Sequence, residues 1–129
     1  MSEPSNPIRE AIENAIAENE VILFMKGTPN APACGFSART VGALQSLDAK
    51  FAAVDVLPDP RIRQELSALS QWPTIPQLFV RGELVGGCDI VMEMLTSGEL
   101  AGLLGAEQPE DAAQEPQVAS GVLGIENRL

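Results

Sequence analysis

The stretch VILFMKGTPNAPACGFS, residues 21–37, joins an apolar run to a loop and then to a cysteine. Five consecutive apolar residues, Val21 to Met25, end before glycine and proline and so predict a buried strand. The apolar spacing over residues 36–47 predicts a helix. Cys34 is therefore expected at the amino-terminal end of that helix, where unpaired backbone N–H groups favour a negatively charged sulfur.

A serine occupies position 37, where a dithiol redox enzyme would carry its second cysteine. A Cys-x-x-Cys pair closes an internal disulfide, whereas an isolated thiolate needs a thiol from elsewhere to complete an exchange cycle. An isolated thiolate also provides only one of the four ligands of zinc or of an iron–sulfur cluster. The alternative interpretation of Cys34 is a small buried hydrophobe. Its position after a proline-rich loop favours the functional interpretation.

The remaining sequence predicts one α/β domain over residues 1–106. A chain of 129 residues is long enough for one compact core and too short for two ordinary ones. Ile8, Ile12 and Ile16 repeat at four-residue spacing and predict a first helix that begins near Pro7. The other predicted elements are strands over 51–56, 77–80 and 84–85 and helices over 60–69 and 90–104, the last broken near Ser97 and Gly98.

The connections indicate how these strands pair. Arg81-Gly82 separates the last two predicted strands and predicts an antiparallel hairpin, whereas the helix after Cys34 is a crossover between parallel strands. Between the first strand and that helix we expect an irregular loop over residues 27–33. We expect Asp89 to cap the helix that follows the hairpin.

The acidic balance of the chain argues against two classes of partner. The formal net charge is −10, of which residues 107–129 carry −4. The few basic residues form no stripe, so a nucleic-acid backbone or an anionic membrane would be repelled. The apolar run at residues 21–25 is far shorter than the ~20 residues needed to span a bilayer. We therefore expect no nucleic acid and no membrane among the partners.

Composition also predicts the compartment and the character of the carboxyl-terminal segment. Two cysteines, Cys34 and Cys88, are too few for a disulfide framework, and a reducing cytoplasm fits them best. Residues 107–129 are rich in Gln, Glu, Pro and Ala and predict a flexible acidic tail. Its apolar stretch over 122–125 could dock on the domain or stay solvated.

Four short motifs occur in order along the chain. They are Lys26-Gly27-Thr28-Pro29, Cys34-Gly35-Phe36-Ser37, Trp72-Pro73-Thr74-Ile75-Pro76 and Gly86-Gly87-Cys88-Asp89. Each motif alone would be weak, but four in the same order make chance improbable. With them, residues 5–105 resemble the thioredoxin fold, and the second motif resembles the signature of monothiol glutaredoxins of the CGFS type. The resemblance implies a four-stranded mixed sheet flanked by helices.

The resemblance also implies a glutathione site. Lys26 and Arg63 would pair with a glutathione carboxylate, and Asp89 with the ammonium of the γ-glutamyl group. The backbone N–H groups of Cys88 and Asp89 would receive the second carboxylate. Without the resemblance, Arg63 is more simply interpreted as a solvated helix charge.

Three further positions are candidates for the site, and Phe36 among them could also be an ordinary core or rim aromatic. Ile75 precedes what resembles the cis-proline of the fold, and its backbone would pair with glutathione as in a strand. Phe36 flanks the thiolate and could shield a bound cluster from water. Cys88 would be a remote resolving thiol only if its Cα came within about 7 Å of that of Cys34. The resemblance favours a packing or backbone role for Cys88 instead.

Three functions follow from these expectations. In the first, Cys34 from each of two protomers and two glutathione thiolates ligate a [2Fe–2S] cluster, which passes to apo iron–sulfur proteins. In the family a BolA-type protein can replace the second protomer. The alternative is a glutathione-dependent thiol-disulfide oxidoreductase that removes glutathione from proteins. The third is an adaptor that reports iron status. The longer loop before Cys34, which weakens exchange in the family, favours the carrier.

Overall fold

The computed structural model describes residues 6–105. The predicted boundary at residue 106 and the predicted acidic tail over 107–129 lie outside these residues. Within the described part, the chain folds as a mixed sheet with helices on both faces, as the sequence predicts. The helices are α1 (Pro7–Glu18), α2 (Gly35–Ser46), α3 (Pro60–Ser70), α4 (Cys88–Ser97) and α5 (Glu99–Leu104). The strands are β1 (Val21–Met25), β2 (Gly27–Thr28), β3 (Ala31–Pro32), β4 (Ala52–Asp55), β5 (Gln77–Val80) and β6 (Glu83–Gly86).

The main sheet has the strand order β4-β1-β5-β6 among the described residues. Strand β1 pairs in parallel with β4, because the α2 crossover returns the chain in the same direction. It pairs antiparallel with β5, and β5 pairs antiparallel with β6 through the turn at Arg81 and Gly82. The predicted crossover and the predicted hairpin are both confirmed.

Strand β1 is central and is buried on both faces. Its residues alternate between two apolar clusters, as the two-residue period of a strand requires. Val21, Leu23 and Met25 face the cluster formed with α2, α4 and α5. Ile22 and Phe24 face the cluster formed with α1 and α3. This double burial places the carboxyl end of β1, and the segment leading to Cys34, on a rigid support.

The helix starts follow local sequence signals. Asn6 caps α1, and its side chain accepts a hydrogen bond from the N–H of Arg9. Asp59 caps α3 in the same way, and a proline occupies the first turn of both helices. The predicted break after Ser97 is confirmed, because Gly98 has a φ of 87°, which ends α4 and starts α5.

Two local expectations were wrong. Residues 27–33 form a short hairpin, β2 paired with β3, rather than an irregular loop. Gly27 permits this with a φ of 86°, and the N–H of Ala33 closes the hairpin on the carbonyl of Lys26 at 2.9 Å. Asp89 does not cap α4. Gly87, the single residue between β6 and α4, is the capping residue, so the helix begins immediately at Cys88.

Within residues 6–105, none of the helices is both long enough and apolar enough to cross a bilayer.

Candidate functional site

Cys34 is the N-cap residue of α2. Its backbone is extended, with φ −150° and ψ 159°, and its Sγ accepts a hydrogen bond from the N–H of Ser37 at 3.4 Å. The sulfur thus occupies the place that a Ser or Asp oxygen takes at an ordinary helix start. The thiol is partly exposed. This position gives the sulfur both access to solvent and the partial positive charge of the helix start.

Ser37 connects the thiol to the end of β1. The side chain of Ser37 is fully buried, and its Oγ lies 3.4 Å from the Sγ of Cys34. The same oxygen accepts a hydrogen bond from the N–H of Lys26 at 3.1 Å. Because the Lys26 N–H donates to it, the hydroxyl proton of Ser37 is free to point toward the sulfur. Ser37 therefore supports the thiolate and fixes its position relative to Lys26.

The site favours the ionised form of the cysteine. Burial raises the pKa of the Cys34 thiol, but several opposing effects outweigh it. These are hydrogen bonds from the side chain and N–H of Ser37, a hydrogen bond from the N–H of Phe36 and the positive charge of Lys26. The pKa of Cys34 therefore lies below that of an ordinary cysteine, which favours the thiolate, the form of the side chain that is reactive.

Replacing Ser37 by alanine is expected to raise the pKa of Cys34. The thiolate is the reactive form, so at about pH 6 alkylation by iodoacetamide should slow about fivefold, the equivalent of a hydrogen bond of about 1 kcal/mol. At pH values above the pKa of Cys34 in both proteins, the two alkylation rates should converge. A pH profile of the alkylation rate measures this. Identical profiles for Ser37→Ala and the unaltered protein would show that the hydroxyl does not support the thiolate.

A groove of about 350 Å³ lies beside the amino-terminal end of α2. It brings together six of the seven residues predicted for the site: Lys26, Phe36, Arg63, Ile75, Cys88 and Asp89. Trp72, Thr74, Pro76, Gly87 and Ile90 complete the lining. Cys34 is not part of this lining and adjoins the groove through Phe36 and through the Ser37 bond to Lys26.

The floor of the groove is the segment before β5. The Ile75–Pro76 peptide bond is cis, as the resemblance implied. Gln77 is fully buried, and its Nε2 donates to the carbonyls of Trp72 at 2.8 Å and Thr74 at 3.1 Å. These two bonds hold the loop against the sheet. Ile75, which is buried and lines the groove, is thereby held in position.

Arg63 extends from α3 across the groove. Its guanidinium lies 3.5 Å from the carbonyl of Pro73, and within residues 6–105 neither Arg63 nor Lys26 forms an ion pair with a carboxylate. A wider groove of about 670 Å³ lies on the other side of the same two cations. Two uncompensated positive charges in an acidic chain are typical of a site for an anion.

The start of α4 forms the opposite wall. Among the described residues no side chain caps this helix, so the N–H groups of its first turn, at Cys88 and Asp89, are available to a ligand. A glycine fits closely there, because a Cβ at position 87 would lie 3.2 Å from Nε1 of Trp72 and 3.3 Å from the carbonyl oxygen of Pro76, which is a tight contact. The carboxylate of Asp89 adds the single acidic group of the lining.

The matches with known proteins agree with this arrangement. The family model described as Glutaredoxin matches residues 21–85. The chain belongs to the glutaredoxin family. It is 56% identical over 103 residues to monothiol glutaredoxin-5, mitochondrial, of Saccharomyces cerevisiae, covering 78% of this chain and 69% of that protein. It is 51% identical over 107 residues to glutaredoxin 4 of Escherichia coli strain K12, covering 83% of this chain and 93% of that protein.

A solved structure supports the same family at the level of the fold. The solution structure of a monomeric truncated mutant of Trypanosoma brucei 1-C-Grx1 is 41% identical and superposes with a TM-score of 0.70, covering 78% of this chain and 91% of that one. The predicted thioredoxin fold and the identification as a monothiol, CGFS-type glutaredoxin are confirmed.

The donor set of this glutaredoxin is small. Both cysteines are free, and Cys88 is 7% exposed, in keeping with a packing role for its thiol. No group of three or more His, Cys, Asp or Glu side chains with metal-ligand geometry occurs in the described range. At most two of the four ligands of a cluster held at Cys34 could therefore be His, Cys, Asp or Glu side chains of this range.

Sequence interpretation missed two residues of the glutaredoxin site. The sequence indicates Ser37 only as the residue in place of a second cysteine, whereas in the structure its buried hydroxyl forms hydrogen bonds with both Cys34 and Lys26. The sequence indicates Gln77 only as the start of a strand, whereas in the structure its side chain donates hydrogen bonds to the loop that contains Trp72 and Thr74. The available signal was a polar residue at the edge of an otherwise apolar strand, directly after proline.

Proposed function

We propose that this protein binds a [2Fe–2S] cluster through Cys34, together with glutathione, and transfers the cluster to apo iron–sulfur proteins. The observation that carries the proposal is a partly exposed thiolate that, within residues 6–105, belongs to no group of three or more His, Cys, Asp or Glu side chains able to hold a metal. Ser37 occupies the position of a resolving cysteine, which would otherwise form a disulfide with Cys34. Its hydroxyl is buried and accepts a hydrogen bond from the N–H of Lys26. Such a thiolate is suited to ligating a cluster that is shared between two molecules.

Glutathione fits the groove by charge and by shape. It is a peptide with two carboxylates and one ammonium group. Lys26 and Arg63 would bind one carboxylate, and the N–H groups at the start of α4 the other. Asp89 would bind the ammonium. The backbone at Ile75 would pair with the extended peptide, and the glutathione sulfur would then lie toward Cys34.

The number of ligands requires more than one chain. A [2Fe–2S] cluster needs four protein or thiol ligands, and Cys34 with one glutathione gives two. We propose a homodimer in the cluster-bound form, with a BolA-type protein as the alternative second half. Phe36, which is 56% exposed beside the thiol, would cover the cluster against water. The cytoplasm stays the predicted compartment.

Removing either cation is expected to weaken glutathione binding. Lys26→Gln and Arg63→Gln should each raise the dissociation constant about tenfold, because each deletes a charge-assisted contact worth about 1.4 kcal/mol. Trp72, the single tryptophan of the chain, lines the groove and provides a fluorescence signal for the titration. Arg61→Gln is the matched control, since Arg61 lies on the same helix but pairs with Asp59. Equal loss in all three variants would contradict the assignment.

The lowered pKa of Cys34 also favours the second candidate function, a glutathione-dependent oxidoreductase. In that reaction the Cys34 thiolate attacks the glutathione sulfur of a protein mixed disulfide, and the protein leaves as a thiolate that takes a proton from water. A second glutathione then reduces the Cys34 mixed disulfide and forms oxidised glutathione. The same groove would serve both functions.

Anaerobic reconstitution separates the two candidates. The protein is incubated with ferric iron and sulfide, with or without glutathione, and its visible spectrum and mass in solution are recorded. If the protein is a cluster carrier, a coloured dimer should form only with glutathione and should transfer its cluster to an added apo-ferredoxin. A colourless monomer that rapidly turns over a glutathione mixed disulfide would establish the oxidoreductase instead.

A further inference from the structure

An aromatic ring and a guanidinium are stacked on the surface of α2 next to Cys34. Phe36 is one of two large hydrophobic side chains that are exposed within the described range. Arg39 lies one helical turn later, and its Cζ is 5.7 Å from the centroid of the Phe36 ring. This distance is within the range of a cation–π contact, which holds the guanidinium in place over the ring. The pair is an apolar surface with a positioned positive charge.

Arg39 is distinct from the cations of the glutathione groove. Lys26 and Arg63 line the groove, whereas Arg39 does not. Within residues 6–105, the basic side chains that form ion pairs are those of Arg9, Arg61 and Arg81. Arg39 has no carboxylate partner within that range. When a glutathione carboxylate pairs with Lys26 and Arg63, Arg39 still has no carboxylate partner within the described residues.

This local charge is opposite to that of the molecule as a whole. The chain has a formal net charge of −10, so a negatively charged protein is repelled from most of its surface. Repulsion between charges farther apart than about 8 Å is largely screened at physiological salt, whereas a direct contact with the exposed Arg39 is screened less and weakens as salt is raised. An acidic partner would therefore be accepted at the Phe36–Arg39 pair and disfavoured elsewhere, which sets its orientation toward Cys34.

We propose that Phe36 and Arg39 form a docking surface for an acidic protein partner, which presents a carboxylate and an apolar side chain next to its own cysteine or cluster site. The carboxylate pairs with Arg39, and the apolar side chain packs on Phe36. The proposal rests on the proposed function for the nature of the exchange at Cys34. It adds that the partner is selected by its acidic surface.

Two short peptides test this surface. Fluorescein-labelled Leu-Asp-Cys-Asp-Leu and Leu-Asn-Cys-Asn-Leu, each with glutathione on its cysteine as a mixed disulfide, are bound to the full chain carrying Cys34→Ser, which prevents exchange. Fluorescence anisotropy measures both dissociation constants, and Trp72 fluorescence measures that of free glutathione. The acidic peptide should bind about fivefold more tightly, and this preference should shrink as salt is raised.

The variants of Arg39 make the test specific. Arg39→Gln should remove the preference and Arg39→Glu should reverse it, while both leave the affinity for free glutathione unchanged. Lys50→Glu changes the net charge as much as Arg39→Glu does, but at the loop between α2 and β4, and it should keep the preference. Equal binding of both peptides to the protein with Arg39, or equal effects of the Arg39 and Lys50 variants, would overturn the docking surface.

The same experiment separates this inference from the proposed function. If free glutathione binds but the acidic peptide has no advantage, the docking surface is wrong and the glutathione site stands. If the acidic peptide keeps an advantage that depends on Arg39 while free glutathione does not bind, the docking surface stands and the proposed glutathione-dependent function is wrong.

Discussion

Cys34→Ser is expected to abolish cluster binding. A serine hydroxyl is not ionised near neutral pH and is a poor ligand for iron, so reconstitution of this variant with iron, sulfide and glutathione should give a colourless protein. The dimer should be lost as well, because in the proposed carrier the shared cluster joins the two chains. The expected decrease in bound iron and in visible absorbance is more than about tenfold, as for the loss of a ligand rather than of a neighbouring residue.

Cys88→Ser is the matched control for this experiment. It removes the other cysteine of the chain, which is buried at the start of α4 and lines the groove. In the proposed site, residue 88 binds a glutathione carboxylate through its backbone N–H. This N–H is unchanged in the variant, so most of the cluster should be retained. Equal loss of iron from the Cys34 and Cys88 variants would contradict the assignment of Cys34 as the cluster ligand.

Gly27→Ala is expected to disrupt the approach to the site. Gly27 has a φ of 86°, and a Cβ at this position would lie 2.5 Å from the carbonyl oxygen of Ala31 and 2.6 Å from the backbone nitrogen of Ala33. These are backbone atoms, so the β2–β3 hairpin itself has to move. Strain at positive φ and the forced shift together should lower the free energy of unfolding by about 3 kcal/mol, measured by urea denaturation.

The displacement in Gly27→Ala should also reach Cys34. The hairpin leads directly into α2, and the N–H of Gly27 donates to Oδ1 of Asp55 at 3.0 Å, which fixes the hairpin to the main sheet. Moving it should weaken glutathione binding together with stability. Gly35→Ala is the control next to Cys34, because a Cβ there meets nothing within 4 Å among the described residues. Similar losses in both variants would show that crowding at Gly27 is not the cause.

The sheet could be predicted because its signals are local. The unbroken apolar run of β1 predicts a strand buried on both faces, and the structure places its alternate residues in two separate clusters. The two-residue turn at Arg81 and Gly82 predicts the antiparallel hairpin of β5 and β6. In each case the pattern and the structure it predicts lie within ten residues of one another.

The hairpin over residues 27–33 and the start of α4 could not be predicted in the same way. The pair of β2 and β3 depends on the positive φ of Gly27 and on the anchor of its N–H at Asp55, twenty-eight positions away. At α4, Gly87 takes the capping position that Asp89 was expected to fill. Sequence propensity favours Asp as a cap, but the geometry of the strand end decides which residue precedes the first turn.

The candidate site was predicted mainly from its resemblance to a family. Composition and spacing indicated a thiolate at a helix start, and no local pattern connects Lys26, Arg63 and Asp89, which come from a strand end and two different helices. Their convergence on one groove is a property of the fold. The role of Ser37 required the structure, because a serine beside a cysteine does not reveal that its hydroxyl also accepts the N–H of Lys26.

Native mass spectrometry of the reconstituted protein tests the central claim most directly. The proposal predicts one species that contains two chains, one [2Fe–2S] cluster and two glutathione molecules, and its disappearance when glutathione is omitted. A single chain that holds the cluster without glutathione would contradict the proposal, because all the ligands of the cluster would then come from one polypeptide.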